Sequence, residues 1–111
     1  MTLRPFDVVV VPFPYSDRLS ERRRPALVVS SVEMPEILGR VWLAMITSAP
    51  ASQIGDVALG EIGPAGLPVA STLRCSKIAT LDADRILRQI GRLSEADEKA
   101  ARDALRLCAA F

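Results

Sequence analysis

The stretch Asp7-Val-Val-Val-Val-Pro-Phe-Pro14 determines how the first half of this chain is built. Its four consecutive β-branched valines, Val8–Val11, have the composition and the length of a buried β-strand. Pro12 and Pro14 lack a backbone N–H, so the Pro-Phe-Pro segment cannot lie in the centre of a sheet. The stretch therefore predicts a strand that ends near Val11 and begins a half of the chain made of strands.

Short apolar runs separated by turn-forming residues continue this pattern to about residue 81. Ser16 to Arg24 is polar and has no apolar periodicity, which predicts a long exposed loop before a strand that opens at Pro25. The remaining predicted segments are strands at Ala26–Ser31 and Val41–Thr47, a connector with one helical turn at 32–40, a short edge strand at Asp56–Leu59, and a strand at Ser71–Leu81.

The end of the chain is predicted to be helical. Asp82 is a good N-cap for a short helix to about Gln89, which Gly91 would end. Ser94-Glu-Ala-Asp97 resembles a capping box and starts an apolar stripe at helical spacing. Because short βα crossovers are absent, these residues predict a mainly antiparallel β-sheet or partly closed barrel with a C-terminal α-helix.

Composition narrows the chemistry that this chain can carry out. Its 111 residues, 50% of them hydrophobic, predict one domain, residues 1–111, with its own core. There is no histidine. This absence excludes His-based acid–base catalysis, Ser-His-Asp and Cys-His nucleophiles, and His-ligated metals. No Gly-rich phosphate loop and no metal-ligand spacing occurs, so we expect neither a cofactor nor a metal.

Charge is nearly balanced overall, with 14 Lys and Arg against 13 Asp and Glu, but it is segregated along the sequence. Residues 1–24 carry five Arg and three acids, residues 25–70 only Arg40 against four acids, and residues 71–92 five basic groups and two acids. The pattern is compatible with an ordinary solvated surface. It favours an anionic ligand if the two basic segments meet in space.

The cysteines and the apolar segments indicate the compartment. Cys75 and Cys108 are far apart in sequence and form no Cys-x-x-Cys motif, which is not the pattern of a secreted disulfide framework. No apolar stretch approaches the roughly 20 residues of a membrane span, and no signal peptide is visible. We expect a soluble cytoplasmic protein that has no membrane partner.

Two clusters of polar side chains lie next to predicted strands. Arg22-Arg23-Arg24 precedes Pro25, and Arg forks bind phosphate bidentately. A solubilising turn is the alternative, least so for Arg24, whose position the strand start fixes. Thr47 and Ser48 end a strand, where hydroxyls can bind a phosphate or a developing oxyanion. They can also merely satisfy backbone groups of the following turn.

A third cluster is Leu73-Arg74-Cys75-Ser76-Lys77. On a strand, Arg74 and Ser76 share one face, and Cys75 points to the opposite face. The alternative for Arg74 is a salt bridge. Cys75 is interpreted as a small core residue.

These clusters belong to blocks that occur in a fixed order along the chain. The blocks are Asp7-Val-Val-Val-Val-Pro-Phe-Pro-Tyr-Ser-Asp17, Arg23-Arg24-Pro25-Ala26-Leu27-Val28-Val29-Ser30, Ile46-Thr47-Ser48, Leu73-Arg74-Cys75, Lys77-Ile78-Ala79-Thr80-Leu81-Asp82 and Ile90-Gly91-Arg92-Leu93-Ser94. Together they resemble the MazF/PemK (Kid) toxin family over about residues 7–95.

The resemblance implies a fold, an activity and partners. The fold would be a small, strongly bent antiparallel SH3-like barrel with a C-terminal helix, shared with the gyrase poison CcdB. The activity would be that of a toxin of a type II toxin–antitoxin system: a metal-independent endoribonuclease (mRNA interferase) that cuts single-stranded RNA. The 2′-hydroxyl would attack the adjacent phosphate, leaving 2′,3′-cyclic phosphate and 5′-hydroxyl ends. A homodimer and a cognate antitoxin, whose disordered tail covers the substrate groove, are also implied.

The resemblance also implies roles for individual residues. Arg24 matches the Arg that stabilises the reacting phosphate, Thr47 the hydroxyl residue beside it, and Arg74 an Arg proposed as acid for the leaving group. The residues expected to bind substrate are Arg22, Arg23, Ser48, Ser76, Lys77 and Asp17.

The chain departs from the Kid-like branch in two respects. Ser76 stands where that branch has an Asp base, and the His of its first loop is absent. Because Ser is a poor base and Arg a poor acid, we assign Arg24 and Arg74 mainly electrostatic roles. Asp17 and Glu21 are candidate proton acceptors. The departures leave two alternatives on the same fold, a non-catalytic CcdB-like gyrase inhibitor and an RNA-binding module, and a third alternative of a partner-binding β-domain.

Overall fold

Six antiparallel strands form one curled sheet in the order β4-β5-β3-β2-β1-β6, with a helix at the C-terminal end. The computed structural model describes residues 2–13 and 22–111. The strands are β1 (Asp7–Phe13), β2 (Arg22–Val28), β3 (Arg40–Thr47), β4 (Asp56–Ala58), β5 (Thr72–Asp82) and β6 (Arg88–Arg92), and the helices are α1 (Glu33–Leu38) and α2 (Glu95–Ala109). The predicted mainly β fold, a small bent antiparallel barrel with a C-terminal helix, is confirmed.

Both faces of the central strands are buried, which explains why their sequences are continuous apolar runs. Val8 and Leu27 belong to the cluster that α2 covers through Ala101. Val9 and Val11, which point the opposite way, belong to a second cluster on the other face of the sheet. The sheet curls where the register shifts: Ala44 pairs with Ile78, but Met45 pairs with Arg74.

The prediction of an exposed loop up to Arg24 is wrong for Arg22–Arg24, which form the first half of β2. Arg23 pairs with Pro12 and Arg24 with Val11, so both strands continue past the point where their prolines predicted an end. The prolines are tolerated because β2 pairs with β3 only from Ala26 onward, so this end of the sheet lacks a second neighbour. Because Arg22 and Arg23 are exposed, this end of β2 has no apolar periodicity that would predict a strand.

The predicted helix from Asp82 to Gln89 is also wrong. Asp82 ends β5 without making a side-chain cap, and only a single 3₁₀ turn, Ala83–Arg85, follows. The chain then forms β6, which pairs with β1, and the Leu87 N–H donates to the Val10 carbonyl at 2.9 Å. Pairing with the apolar β1 outweighs the helix-like spacing of apolar residues in this segment.

The other predicted elements occur near their expected positions. The short strand at Asp56–Ala58 lies at the edge of the sheet, and α1 begins two residues before Pro35 rather than after it. The Ser94 side chain accepts a hydrogen bond from the Asp97 N–H at 3.2 Å, which confirms the predicted cap of α2. Within residues 2–13 and 22–111, no helix is long and apolar enough to cross a membrane.

Candidate functional site

Two adjoining cavities of about 800 and 300 Å³ lie at the end of the sheet where β2 begins and β3 ends. Both are lined by Arg23, Arg24 and Pro25 on one side and by Leu67 and Pro68 on the other. We term the two together the basic groove. The larger cavity is completed by Val10, Gly66, Leu87, Arg88 and Ile90, and the smaller one by Arg22, Ile46, Thr47, Ser48, Val69 and Ser71.

Arg24 and Thr47 line the same cavity although 22 residues separate them along the chain. The ladder between β2 and β3 ends where Ala26 pairs with Met45, and Arg24 and Thr47 each lie two residues beyond this last pair on their own strands. Residues two apart on a strand project from the same face. Arg24 is half-buried, whereas Arg22 and Arg23 are exposed. The residue that the resemblance gives to Arg24 as its partner therefore lines the same cavity.

The hydroxyls at the end of β3 also have a structural role. Thr47 Oγ1 accepts a hydrogen bond from the Ala49 N–H at 3.2 Å, as a turn-forming residue does. The Thr47 hydroxyl hydrogen remains available for a ligand in the groove, because the oxygen is the acceptor in this bond. Ser48 is exposed, and Ser71, whose hydroxyl donates to the Val69 carbonyl at 2.8 Å, lines the opposite wall.

The opposite wall is the segment between β4 and β5, and close backbone packing fixes it against β6. The Arg92 N–H donates to the Pro64 carbonyl at 2.9 Å. A Cβ atom on Gly66, whose φ is +72°, would overlap the Ile90 carbonyl, and one on Gly91 would overlap the backbone of Pro64 and Ala65. Only glycine fits at these two contacts.

A buried carboxylate on α2 holds the start of the same wall. Asp97, 6% exposed, accepts hydrogen bonds from the N–H groups of Gly60 at 2.9 Å and Glu61 at 3.0 Å. Charge-assisted bonds of this kind are about twice as strong as neutral ones. The helix that the capping box starts therefore also positions one side of the basic groove.

Arg88 is a groove residue that sequence analysis missed. It lies on β6, is paired with Val10 and lines the larger cavity together with Arg23 and Arg24. It was missed because residues 82–89 were predicted to form a helix and not a strand beside β1. The signal that could have found it is the charge pattern, because Arg88 belongs to the second basic segment. The two basic segments do converge, through Arg88.

Arg74 lies outside the groove lining and is held by Asp56. Its Nε and Nη2 donate to the two carboxylate oxygens of Asp56, each at 3.1 Å, in a bidentate pair. The hydrogen bond to Arg74 is the largest cause that lowers the pKa of Asp56, and the N–H groups of Ser52 and Gln53 add to it. The same pair raises the pKa of Arg74, which makes this Arg a still poorer acid. Arg74 shares a sheet face with Met45, two residues before Thr47.

The remaining predicted residues lie away from the groove or outside the described chain. Ser76 Oγ accepts a hydrogen bond from Gln53 Nε2 at 3.3 Å, and Lys77 is exposed, both on the part of β5 that the register shift leaves unpaired. Neither is among the groove-lining residues. Asp17 and Glu21 lie outside the described residues. Cys75 is buried, as predicted, and burial is the main cause that raises the pKa of its thiol to about 12.

The basic groove has the composition of a polyanion site. Four Arg side chains and three hydroxyls line it, and none of its described lining residues is Asp or Glu. Guanidinium forks and hydroxyls match phosphate oxygens, and a concave surface of one charge sign concentrates anions. Within residues 2–13 and 22–111, no group of three or more Cys, Asp and Glu side chains could hold a metal ion.

Comparison with known proteins places this fold. The chain is similar to a mycobacterial endoribonuclease solved with its cognate antitoxin (20% identity, 100% and 97% of the two chains, TM-score 0.80). It is also similar to the Mycobacterium tuberculosis toxin MazF-mt6 (21%, 95% and 97%, TM-score 0.77) and to MazF from Deinococcus radiodurans (22%, 100% and 99%, TM-score 0.78). No curated protein matches significantly by sequence.

These likenesses show a shared fold. The family model for the PemK-like, MazF-like toxins of type II toxin–antitoxin systems matches residues 4–108. The match spans all six strands and nearly all of α2, and so includes every wall of the basic groove. The chain therefore belongs to the PemK-like, MazF-like toxin family of type II toxin–antitoxin systems.

Proposed function

We propose that this toxin is a metal-independent endoribonuclease that cuts single-stranded RNA in the basic groove. The observation that carries the proposal is the composition of that groove: Arg22, Arg23, Arg24 and Arg88 line it, and no Asp or Glu is among its described lining residues. Family membership and the fold shared with proteins described as endoribonucleases support the same activity.

The reaction is an attack of a ribose 2′-hydroxyl on the adjacent phosphate. It breaks the bond to the 5′-oxygen and leaves a 2′,3′-cyclic phosphate and a 5′-hydroxyl end. Arg24, half-buried and lining the same cavity as Thr47, stabilises the extra negative charge of the pentacoordinate phosphate. The Thr47 hydroxyl donates to a phosphate oxygen. Asp17 and Glu21 are the candidate proton acceptors.

The exposed Arg side chains of the groove bind the RNA strand next to the reacting phosphate. Arg22, Arg23 and Arg88 contact flanking phosphates and hold the strand along the groove, and Ser48 adds a hydroxyl contact. Arg74 has a positioning role. Its salt bridge with Asp56 holds the ends of β4 and β5 together beside Met45. Ser76 and Lys77 contact RNA only where the strand extends beyond the described groove.

The proposal includes the setting in which the toxin acts. The 111 residues form a single toxin domain that works as a cytoplasmic homodimer, with substrate crossing the interface between protomers. A cognate antitoxin inhibits it by covering the same groove, whose Arg side chains favour an acidic peptide. The activity requires no cofactor.

RNA cleavage in the presence of EDTA tests the proposal. Wild-type protein incubated with mixed single-stranded RNA is expected to release fragments with 2′,3′-cyclic phosphate ends. Arg24→Ala is expected to lower the cleavage rate by roughly 10²–10³-fold, the usual effect of removing one group that stabilises transition-state charge. Arg106→Ala, which removes an exposed Arg from α2, is the matched control and should cleave at the wild-type rate. Equal inactivity of wild type and Arg24→Ala would contradict the proposal.

A gyrase inhibitor on the same fold is the second candidate. Two observations favour it: the chain has no histidine, and Ser76 occupies the position of the expected Asp base, where its hydroxyl binds Gln53. Inhibition of DNA supercoiling by a protein that leaves RNA intact would establish this second function in place of the first.

A further inference from the structure

The two cysteines of the chain, 33 positions apart in sequence, meet between β5 and the last turn of α2. Cys75 and Cys108 both line a cavity of about 340 Å³ together with Ser76, Leu105 and Ala109. The backbone of Gly55 packs against both: a Cβ placed on it would lie 2.6 Å from Cys108 Sγ and 3.6 Å from Cys75 Cβ. Both cysteine side chains therefore lie on the same side of this glycine.

The two thiols differ in accessibility. Cys75 is 1% exposed, whereas Cys108 is exposed on α2. A dissolved oxidant therefore reaches Cys108 first, and Cys75 is the only second thiol in the chain that can respond to it. A helix end is also the part of α2 that moves at the lowest cost, since the last turn lacks the hydrogen bonds of the interior.

We infer that Cys75 and Cys108 form a thiol–disulfide site that links β5 to the C-terminal turn of α2 when the protein meets an oxidised low-molecular-weight thiol such as glutathione disulfide. The Cys108 thiolate attacks the glutathione disulfide, forms a mixed disulfide and releases one glutathione thiolate, which takes up a proton. Cys75 then loses its proton and attacks the Cys108 sulfur, and the second glutathione leaves. Two protein thiols and one glutathione disulfide yield one protein disulfide and two glutathione thiols.

Burial makes the second step slow but leaves the product well protected. Burial raises the pKa of the Cys75 thiol to about 12, so little thiolate is present at neutral pH. The cavity that both cysteines line, bounded by the small residues Ser76 and Ala109, leaves room for the sulfur atoms to approach each other. Once formed, the bond is shielded from reducing thiols on the Cys75 side.

Incubation of purified wild-type protein with millimolar glutathione disulfide, followed by intact mass and thiol titration in denaturant, tests this site. Monomer mass is expected to fall by about 2 Da with loss of both thiols, as an intramolecular disulfide requires. The melting temperature is expected to rise by roughly 10 °C over that of the reduced protein, because the bond closes a loop of more than 30 residues. The link should revert on addition of dithiothreitol.

Two variants make the result interpretable. Cys75→Ser is expected to stop at the mixed disulfide on Cys108, with a mass gain of about 305 Da. Cys108→Ser, a change at an exposed position, should retain its buried thiol and gain no thermal stability. A wild-type protein that ends with a stable glutathione adduct, a disulfide between two chains or two free thiols would overturn the inference. None of these readouts depends on RNA cleavage.

Discussion

The carboxylate of Asp56 connects one strand edge, one loop and one Arg side chain. It accepts hydrogen bonds from Arg74 Nε and Nη2, each at 3.1 Å, and from the N–H groups of Ser52 and Gln53 at 2.9 and 3.3 Å. All four donors favour the ionised carboxylate, and the side chain is 1% exposed. The salt bridge that the sequence analysis named as the alternative for Arg74 is therefore present. It lies on the sheet face where Arg74 was expected to form part of a polar surface.

This pair predicts a specific dependence of stability on pH. Because Arg74 lowers the pKa of Asp56 in the folded state, the stabilisation is complete above the ordinary carboxyl pKa of 3.8 and is lost as the pH falls below it. Asp56→Asn removes this contribution at every pH. The difference in the free energy of unfolding between wild type and Asp56→Asn is therefore expected to be constant near neutrality and to shrink below about pH 4.

Urea denaturation between about pH 2.5 and pH 7 measures that difference. Asp103→Asn is the matched control, because its i,i+4 pair with Lys99 is exposed on both sides. A difference between wild type and Asp56→Asn that did not change with pH would show that the amide loses only packing and not a charge interaction.

At the scale of elements, the wall of the basic groove depends on α2 as well as on the sheet. Asp97 lies in the first turn of α2 and binds the N–H groups of Gly60 and Glu61, which begin the segment that carries Leu67 and Pro68. A truncated Asp97 leaves two backbone donors without their acceptor. The wall would then be held by its contacts with β6 and by the packing of Ala65 and Leu67 in the core.

Asp97→Ala is expected to lower the free energy of unfolding by about 3 kcal/mol, the sum of two charge-assisted bonds at the lower end of their usual range. Asp103→Ala, on the exposed face of the same helix, should cost less than about 0.5 kcal/mol. Urea titrations followed by circular dichroism compare the two. Equal losses for the two variants would mean that helix charge, and not the anchored wall, accounts for the effect.

Elements with a continuous apolar sequence could be predicted, and those defined by their neighbours could not. Val8–Val11 and Val41–Thr47 carry their strand signal in their own composition. β6 carries no such signal, since Ile86, Leu87 and Ile90 have a helix-like spacing, and only pairing with β1 makes the segment a strand. Arg88 was missed for this reason, and so was the wall at Leu67 and Pro68, which lies in a segment rich in Gly and Pro.

The candidate site follows the same rule. Arg24 and Thr47 were predicted from a family pattern, and both line the smaller cavity of the basic groove. Arg74 and Ser76 belong to the same pattern, but their partners are Asp56 and Gln53. No sequence property of Arg74 indicates which of two ligands, a phosphate or a carboxylate, its guanidinium binds, because both offer paired oxygens.

At the scale of the whole molecule, the formal net charge of +1 does not indicate that one groove is strongly basic. Several of the acids are placed in pairs and caps elsewhere: Asp7 binds Arg92, Asp56 binds Arg74, and Glu98 lies between Arg92 and Arg102. Four Arg line the groove, and no Asp or Glu is among its described lining residues. Local charge, and not net charge, therefore sets the affinity for a polyanion.

This separation predicts how RNA binding responds to salt. If Arg22, Arg23, Arg24 and Arg88 each neutralise one phosphate, the logarithm of the association constant should fall with the logarithm of salt concentration with a slope of roughly −3, at about −0.7 per contact on a single strand. Arg88→Ala is expected to bring the slope to about −2 and weaken binding to all sequences alike. Arg106→Ala, which removes an exposed Arg distant from the groove in sequence, should leave the slope unchanged.

Fluorescence anisotropy with a 2′-O-methyl oligonucleotide measures these slopes, because the strand lacks the attacking hydroxyl and binding is read without cleavage. The comparison of Arg88→Ala with Arg106→Ala separates the groove from the general surface, since each variant removes one positive charge from the same net total. If the two variants have identical slopes, the bound RNA does not contact β6. If only Arg88→Ala reduces the magnitude of the slope, the bound RNA must pass over β6, the edge strand that the sequence pattern predicted to be helical.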